Sequence, residues 1–98
     1  MATSVGLTVA DDAEKRRYEA RLGSEVVGFV TYRLDQGRMT LIHTEVEVAW
    51  EGKGIASQLV AGALDDIRAR GLTVVPLCPF ASAYLRRHPE YSDLLASR

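Results

Sequence analysis

The chain has 98 residues with a formal net charge of -1, and 47% of them are hydrophobic. This size suits one domain over residues 1–98, whose core needs neither disulfides nor a structural metal. The 12 basic and 13 acidic residues argue against a general nucleic-acid-binding protein, which usually carries a basic surplus. The single cysteine cannot form an intrachain disulfide, and no segment resembles a membrane span or a signal peptide. We therefore expect a soluble, cytoplasmic protein of one domain.

The first half of the chain predicts an antiparallel meander. An uncertain strand comes first, and "ADDAEKRR" after it has the composition of a solvated loop. "RYEARL", "EVVGFVTYRL" and "MTLIHTEVEV" then alternate or are rich in β-branched and aromatic residues, with polar turn signals between them. Alternation in the last segment places His43, Glu45 and Glu47 on one face, and Ile42, Thr44, Val46 and Val48 on the other.

The second half predicts a helix between two near-parallel strands. Apolar residues from Ile55 to Ile67 recur at three- and four-residue spacing, and Gly71 is a suitable helix stop. "LTVVPLC" at Leu72–Cys78 is typical of a short buried strand, so that the helix forms a crossover. "FASAYLRRH" predicts a second helix that ends near Pro89, and "YSDLLASR" is compatible with a last helical turn. The fold class is therefore α+β.

The stretch "WEGKGIASQLV" joins the third strand of the meander to the first helix. A helix N-terminus presents free amides, and glycines before it let the backbone approach an anion closely. The spacing fits neither a Walker P-loop nor the three-glycine dinucleotide fingerprint. The residues alone leave two alternatives open, a plain connecting turn and an anion site.

The order of these elements resembles the GNAT superfamily of N-acetyltransferases. The acyl-CoA motif of that superfamily is Gln/Arg-x-x-Gly-x-Gly/Ala, and Gly54 and Ala56 match it while Glu51 departs from it. "HTEV", "PLCP" and "RHPEY" further resemble small, single-domain GNAT-like acetyltransferases of about a hundred residues. Glu47 stands where those proteins commonly have proline. The resemblance covers about Arg17 to Leu95.

The resemblance implies a GNAT-like fold in which two central strands, Ile42–Val48 and Thr73–Cys78, splay apart around acetyl-CoA. Acetyl-CoA would be the cosubstrate, with its pantetheine on backbone amides near Val46 and Val48. The pyrophosphate would lie on the amides of Lys53, Gly54, Ile55, Ala56 and Ser57. Arg87 and His88 would contact coenzyme A or cap the end of their helix.

Acetyl transfer from a thioester to an amine needs a base, a polarised carbonyl and a stabilised leaving thiolate. His43 is the first candidate base, and Glu45 is a second base or acts through water; the alternatives are a structural histidine and a solvated glutamate. Cys78 is a candidate acetyl acceptor beside the thiol of coenzyme A, or else a small buried apolar residue. The resemblance makes Tyr84 a candidate acid for the thiolate; the alternative is a packing aromatic.

The function predicted on this basis is acetyl-CoA-dependent N-acetylation of an unidentified amine. The meander starts close to the first residue, without the helices that wall the acceptor site in larger relatives. We therefore expect an open acceptor groove that suits an amine on a protein or peptide. The alternative is a non-catalytic acyl-CoA-binding or protein-interaction module. No metal site is expected, since His43, Cys78 and His88 are too few and too scattered. The sequence predicts no oligomeric state.

Overall fold

The computed structural model describes residues 6–96. The limits predicted for the domain, residues 1 and 98, and the end of the predicted last turn lie outside this range. The strands are β1 (Leu7–Asp12), β2 (Arg17–Leu22), β3 (Glu25–Asp35), β4 (Arg38–Val46) and β5 (Thr73–Pro76). The helices are α1 (Ile55–Ala69) and α2 (Pro79–Arg87), and 3-10 turns cover Val48–Trp50 and Pro89–Leu94.

The five strands form one mixed sheet in the order β1-β2-β3-β4-β5. The first four strands pair antiparallel, and β5 pairs parallel to β4 after the α1 crossover. The predicted α+β fold, a meander followed by a βαβ unit, is thereby confirmed. One local expectation was wrong. β1 continues through Asp12, at the start of the predicted loop, because Asp11 pairs with Tyr18 and Asp12 with Arg17.

β4 contains a bulge at Ile42, which changes the predicted faces of the strand. Thr31 of β3 pairs with His43, but the next residue, Tyr32, pairs with Leu41. The extra residue on β4 is Ile42, whose side chain is 46% exposed. Leu41 and Thr44 therefore both point toward the core. Ile42 does not, so the prediction that Ile42 shares a face with Thr44 is wrong.

The core lies between the inner face of the sheet and the two helices. α1 contacts all five strands, and its buried residues are Ile55, Leu59, Val60, Ala63, Leu64 and Ile67, as the spacing predicts. Gly62 lies where an added Cβ would be 2.7–2.9 Å from the Val9 side chain, which lets α1 approach β1 closely. α2 adds Ala81 and Leu85 to the same core. None of the helices within residues 6–96 is long and apolar enough to cross a membrane.

A polar network joins β1, β2 and β3 to the end of α1. The Tyr18 hydroxyl donates to Asp66 and the Tyr32 hydroxyl donates to Asp11, each over 2.6 Å. Arg70 donates to both carboxylates at 3.2 Å. Burial and the hydrogen bond to Asp11 raise the pKa of Tyr32 to about 12, and burial with the bond to Asp66 raises that of Tyr18 further. Both tyrosines therefore remain protonated donors at neutral pH.

The opposite face of the sheet carries polar and aromatic side chains. We call this the outer face; its central residues are Arg17, Glu19, Phe29, His43 and Glu45, which pair in register across β2, β3 and β4. The Glu19 side chain is only 3% exposed and accepts hydrogen bonds from Arg17 and Arg21. Burial would raise the pKa of Glu19, but the two guanidinium groups hold it below its ordinary value.

Candidate functional site

β4 and β5 separate where the bulge lies. Their parallel pairing ends at Leu41 and Pro76. The amides of Leu77 and Cys78 then both donate to the Leu41 carbonyl, at 3.0 and 2.9 Å. β4 continues beyond this point to Val46, whereas β5 has ended. The predicted splayed strand pair is therefore present, with β5 two residues shorter than predicted. We call the gap between the two strands the wedge.

Backbone amides of β4 point into the wedge. The Glu47 amide donates to the Val27 carbonyl at 2.9 Å, so residues at odd positions beyond the bulge bond to β3. Because amides alternate in direction along a strand, those of Thr44 and Val46 point away from β3, toward the space that β5 has left. Val48 lies in a 3-10 turn and is 83% exposed, so its predicted position on the strand is wrong.

A side-chain contact crosses the inner part of the wedge. The Thr44 Oγ1 and Cys78 Sγ atoms are 2.9 Å apart, within hydrogen-bonding distance. Cys78 precedes the first residue of α2 and is 2% exposed. The structure thus places Cys78 beside the wedge, as predicted, and also buries it as a small side chain. Both alternatives for this residue remain compatible with its position.

His43 and Glu45 lie together on the outer face, on the other side of β4 from Cys78. His43 Nε2 and Glu45 Oε1 are 3.1 Å apart, and the two side chains are 59% and 61% exposed. The ring of Phe29 lies edge-on to His43, with 6.5 Å between the centroids. The structure therefore brings these two predicted residues together as neighbours on one face of the sheet.

The glycine loop, residues 51–54, leads into α1. Gly54 precedes the first helical residue with φ +78°, a left-handed conformation that glycine adopts without strain. Gln58 makes the first intrahelical bond, to the Gly54 carbonyl at 3.1 Å. The preceding helical amides, those of Ile55, Ala56 and Ser57, therefore have no carbonyl partner within the helix. Lys53 is exposed within this loop.

A cavity of about 240 Å³ lies beside the glycine loop, and we call it the loop cavity. Val46 of β4 and Phe80 of α2 line it, and so connect the wedge to the start of α1. Its other lining residues are Trp50, Glu51, Gly52, Gly54, Ile55, Ala56 and Ser57. Five residues predicted to bind coenzyme A therefore line one cavity. Val46 was predicted for the pantetheine, and the others, predicted for the pyrophosphate, are Gly54, Ile55, Ala56 and Ser57.

Two residues in this cavity were not predicted from the sequence. Phe80 is the second residue after "PLC", and an apolar ring at the start of a helix is the sequence signal that could have identified it. Trp50 packs against the core while also lining the loop cavity. Alternation placed Thr44 on the correct face of β4. Its contact with Cys78 could not be predicted, because it depends on how β4 and the chain after β5 separate.

Tyr84 and Arg87 lie farther along α2. The Tyr84 ring stacks on His88 with 3.9 Å between the centroids, and burial, with the Glu90 and Asp65 carboxylates, raises its pKa. Its aromatic contacts are with His88 and Tyr91, and it also packs against the core. Arg87 is exposed seven residues after Phe80, about 10 Å farther along the helix axis. Their predicted roles stay predictions.

Within the part of the chain that the structure describes, no three His, Cys, Asp or Glu residues come together in a group that could hold a metal ion.

Comparison with solved structures identifies the fold. A protein from Staphylococcus aureus described as GCN5-like matches 95% of this chain over 91% of its own length, with a TM-score of 0.66 and 20% identity. A ribosomal-protein-alanine N-acetyltransferase from Brucella melitensis biovar Abortus 2308 matches 84% of this chain with a TM-score of 0.56 and 24% identity. This chain spans only 62% of the Brucella protein. These likenesses concern the fold.

A family model extends the likeness from fold to sequence. The model for the GCN5-related N-acetyl-transferases matches residues 17–94, which include β2–β5, both helices and the glycine loop. The matched segment therefore contains the wedge, the loop cavity and the His43–Glu45 pair. The chain belongs to the GCN5-related N-acetyltransferase family.

Proposed function

We propose that this protein is an acetyl-CoA-dependent N-acetyltransferase. One observation carries the proposal: the amides of the wedge and those at the start of α1 meet at a single cavity through Val46. A pantetheine is a chain of amides that pairs with strand edges, and a pyrophosphate suits free helix amides. The backbone amides of this chain therefore fit both the pantetheine and the pyrophosphate of coenzyme A.

The proposed arrangement follows from that fit. The pyrophosphate lies on the amides of Ile55, Ala56 and Ser57, with Lys53 adding positive charge. The pantetheine extends from there past Phe80 and bonds to the Val46 amide. The thioester lies deeper in the wedge, between the Thr44 amide and Cys78. Glu51 lines the loop cavity, so that its charge weakens binding of the phosphates without blocking it.

The reaction transfers one acetyl group between two nucleophiles. The nitrogen of a neutral amine forms a bond to the thioester carbonyl carbon, and the carbon–sulfur bond breaks with its electron pair on sulfur. The proton that the amine loses passes to the His43–Glu45 pair, and the thiolate takes a proton from Tyr84 or from water. Backbone amides in the wedge stabilise the negative charge on the carbonyl oxygen.

Cys78 allows a second route with the same overall balance. Its thiolate would first accept the acetyl group from coenzyme A and then pass it to the amine. The Thr44 Oγ1 atom lies 2.9 Å from Cys78 Sγ, within hydrogen-bonding distance, on the wedge side. Direct transfer is the simpler route, because the buried thiol lies on the opposite face of β4 from His43. Mass spectrometry after mixing with acetyl-CoA alone distinguishes the routes, since only the second leaves an acetyl group on Cys78.

The proposal is tested by binding and turnover measured on the same samples. Coenzyme A should raise the unfolding temperature, and acetyl-CoA with an amine panel should yield acetylated amine and free thiol in equal amounts. His43→Gln and Glu45→Gln should lower kcat about a hundredfold while coenzyme A affinity is kept. Glu25→Gln, another exposed strand glutamate, is the matched control. Binding without transfer to any amine would favour a non-catalytic acyl-CoA-binding module, and absence of binding at millimolar coenzyme A would refute both.

A further inference from the structure

A second, larger cavity of about 560 Å³ lies on the outer face, and we call it the outer cavity. It is bounded by the end of β4, the start of β3 and the 3-10 turn at Val48–Trp50. Its lining includes Glu45, which contacts His43, and Val46, which also lines the loop cavity. The outer cavity thus adjoins both the proposed base and the proposed coenzyme A site.

The charged side chains that line the outer cavity differ in whether they already have an ion-pair partner. The positive charge of Arg17 is engaged by Glu19 at 2.8 Å, and its guanidinium also lies 4.5 Å from the centre of the Phe29 ring. Glu47 is exposed, and within residues 6–96 it makes no ion pair. Among the residues that the structure describes, the ion-pair partner of Glu45 is the His43 imidazole. Two carboxylates therefore line the cavity, and the cation that lines it with them, Arg17, is held by Glu19.

The remaining wall is apolar and close to those carboxylates. Val26, Phe29, Val48 and Ala49 line the same cavity. Phe29 pairs directly opposite Glu45 in the strand register, so that the ring and the carboxylate are cross-strand neighbours on one face. Because the Arg17 guanidinium already lies over the Phe29 ring, the attraction for an ammonium group here comes from the charge of the carboxylates. The same wall excludes water from a hydrocarbon stem.

We propose that the outer cavity binds the acceptor, and that the acceptor is a cationic primary amine on an apolar or aromatic stem with no carboxylate beside the amine. The ammonium lies between Glu45 and Glu47, and the stem lies against Phe29 and Val48. The ammonium loses one proton to water before attack, and the neutral amine then loses its second proton to the His43–Glu45 pair during transfer. A neighbouring carboxylate would meet Glu45 and Glu47 with like charge and be repelled. This inference rests on the proposed function for its chemistry, and on the cavity for its substrate class.

The first test is binding without any coenzyme A. Amide-resonance NMR titrations compare 2-phenylethylamine with phenylalanine, which adds the carboxylate, and with 2-phenylethanol, which lacks the charge. A phenylalanyl peptide amide tests whether the same amine chemistry is taken from a peptide. We expect shifts near Phe29 and Glu47, with 2-phenylethylamine or the peptide amide binding at least about tenfold better than phenylalanine. Equal binding of phenylalanine or the alcohol would overturn the inference.

The second test uses charge-neutral variants. Glu47→Gln should weaken amine binding and raise KM about fivefold with kcat little changed, whereas Phe29→Leu should weaken the aromatic amine more than a linear alkylamine. Glu25→Gln is the control for the loss of a strand carboxylate. Unchanged KM in Glu47→Gln, with transfer intact, would refute the substrate class and leave the proposed function standing. Amine binding in the cavity without any transfer from acetyl-CoA would instead refute the proposed function and leave the cavity assignment standing.

Discussion

Replacing Gly54 with alanine should separate the role of the glycine loop in binding from its role in folding. Gly54 has φ +78° and ψ 13°, and an added Cβ would meet no atom within 4 Å. The whole cost is therefore backbone strain, which is about 1–2 kcal/mol for a non-glycine residue in the left-handed region. For a domain of this size we expect the unfolding temperature to fall by about 5–15 °C. The loop can relieve part of the strain by turning away from this conformation.

The affinity for coenzyme A measures whether the glycine loop has moved in this way. Any change of φ at Gly54 rotates the amides of Ile55, Ala56 and Ser57, which begin the helix immediately after it. We expect coenzyme A to bind at least tenfold more weakly, equivalent to about 1.4 kcal/mol. Isothermal titration calorimetry with coenzyme A and thermal unfolding without it measure the two effects on one preparation.

The matched control is Gly23→Ala. Gly23 lies in the turn between β2 and β3 with φ +60°, and its added Cβ also meets no atom within 4 Å. The strain is therefore similar, but Gly23 lines neither the loop cavity nor the outer cavity. Both variants should lose similar stability, and only Gly54→Ala should lose affinity. A Gly54→Ala protein with native affinity, or equal loss of affinity in both, would refute the assignment of this loop to coenzyme A.

Three further predictions concern the packing that supports the site. Glu19→Gln should lower the free energy of unfolding at neutral pH by about 2 kcal/mol, because it removes the buried carboxylate charge that pairs with Arg17 and Arg21. The pKa of Glu19 is lowered in the folded state from 4.5, so this stabilisation is present above that pH and is lost as the pH falls below it. Tyr32→Phe should cost about 1 kcal/mol at neutral pH. Because the pKa of Tyr32 rises from 10.0 to about 12 on folding, its stabilisation is full below pH 10 and is lost between pH 10 and 12. Gly62→Ala should destabilise by about 1–3 kcal/mol, because the new methyl would overlap the Val9 side chain.

Chemical denaturation over a series of pH values checks the first two of these predictions, and one double variant checks the third. The Glu19→Gln and native proteins should approach equal stability in acid, and parallel curves down to low pH would contradict the prediction. Tyr32→Phe should lose less folding stability above pH 10 than the native protein does. An equal loss in both proteins would contradict the prediction. Adding Val9→Ala to Gly62→Ala should restore part of the stability, whereas a further additive loss would show that the two side chains do not compete for space.

The sequence predicted the elements whose patterns run without interruption. α1 buries the six residues that its spacing marks, because an uninterrupted helix keeps one periodicity from end to end. Alternation likewise placed His43 and Glu45 on one face, since both follow the bulge in the same stretch of strand. In both cases local geometry alone determines which way the side chain points.

Other features could not be predicted, because they depend on partners distant in the sequence. The bulge at Ile42 leaves no glycine or proline in β4 to mark it, and an apolar residue at that position fits a regular strand equally well. Val48 continues the alternating pattern of "VEV" although the strand ends at Val46. Asp11 and Asp12 have loop composition, yet β1 includes them because β2 pairs with them and Tyr32 binds the Asp11 carboxylate.

The wedge itself has a physical origin in one of these features. The amides of Thr73 and Leu77 both donate to carbonyls on the β4 side, so position 76 faces away from β4 and the missing amide of Pro76 removes no bond between the two strands. The bulge at Ile42 turns β4 at the same level, so that the next two amides of the β5 chain, at Leu77 and Cys78, converge on one carbonyl. Beyond this point no strand within residues 6–96 pairs with the wedge side of β4, where the amides of Thr44 and Val46 point. A chain that uses backbone groups to hold its cosubstrate can vary most side chains along the wedge, but it depends on the bulge that separates the two strands.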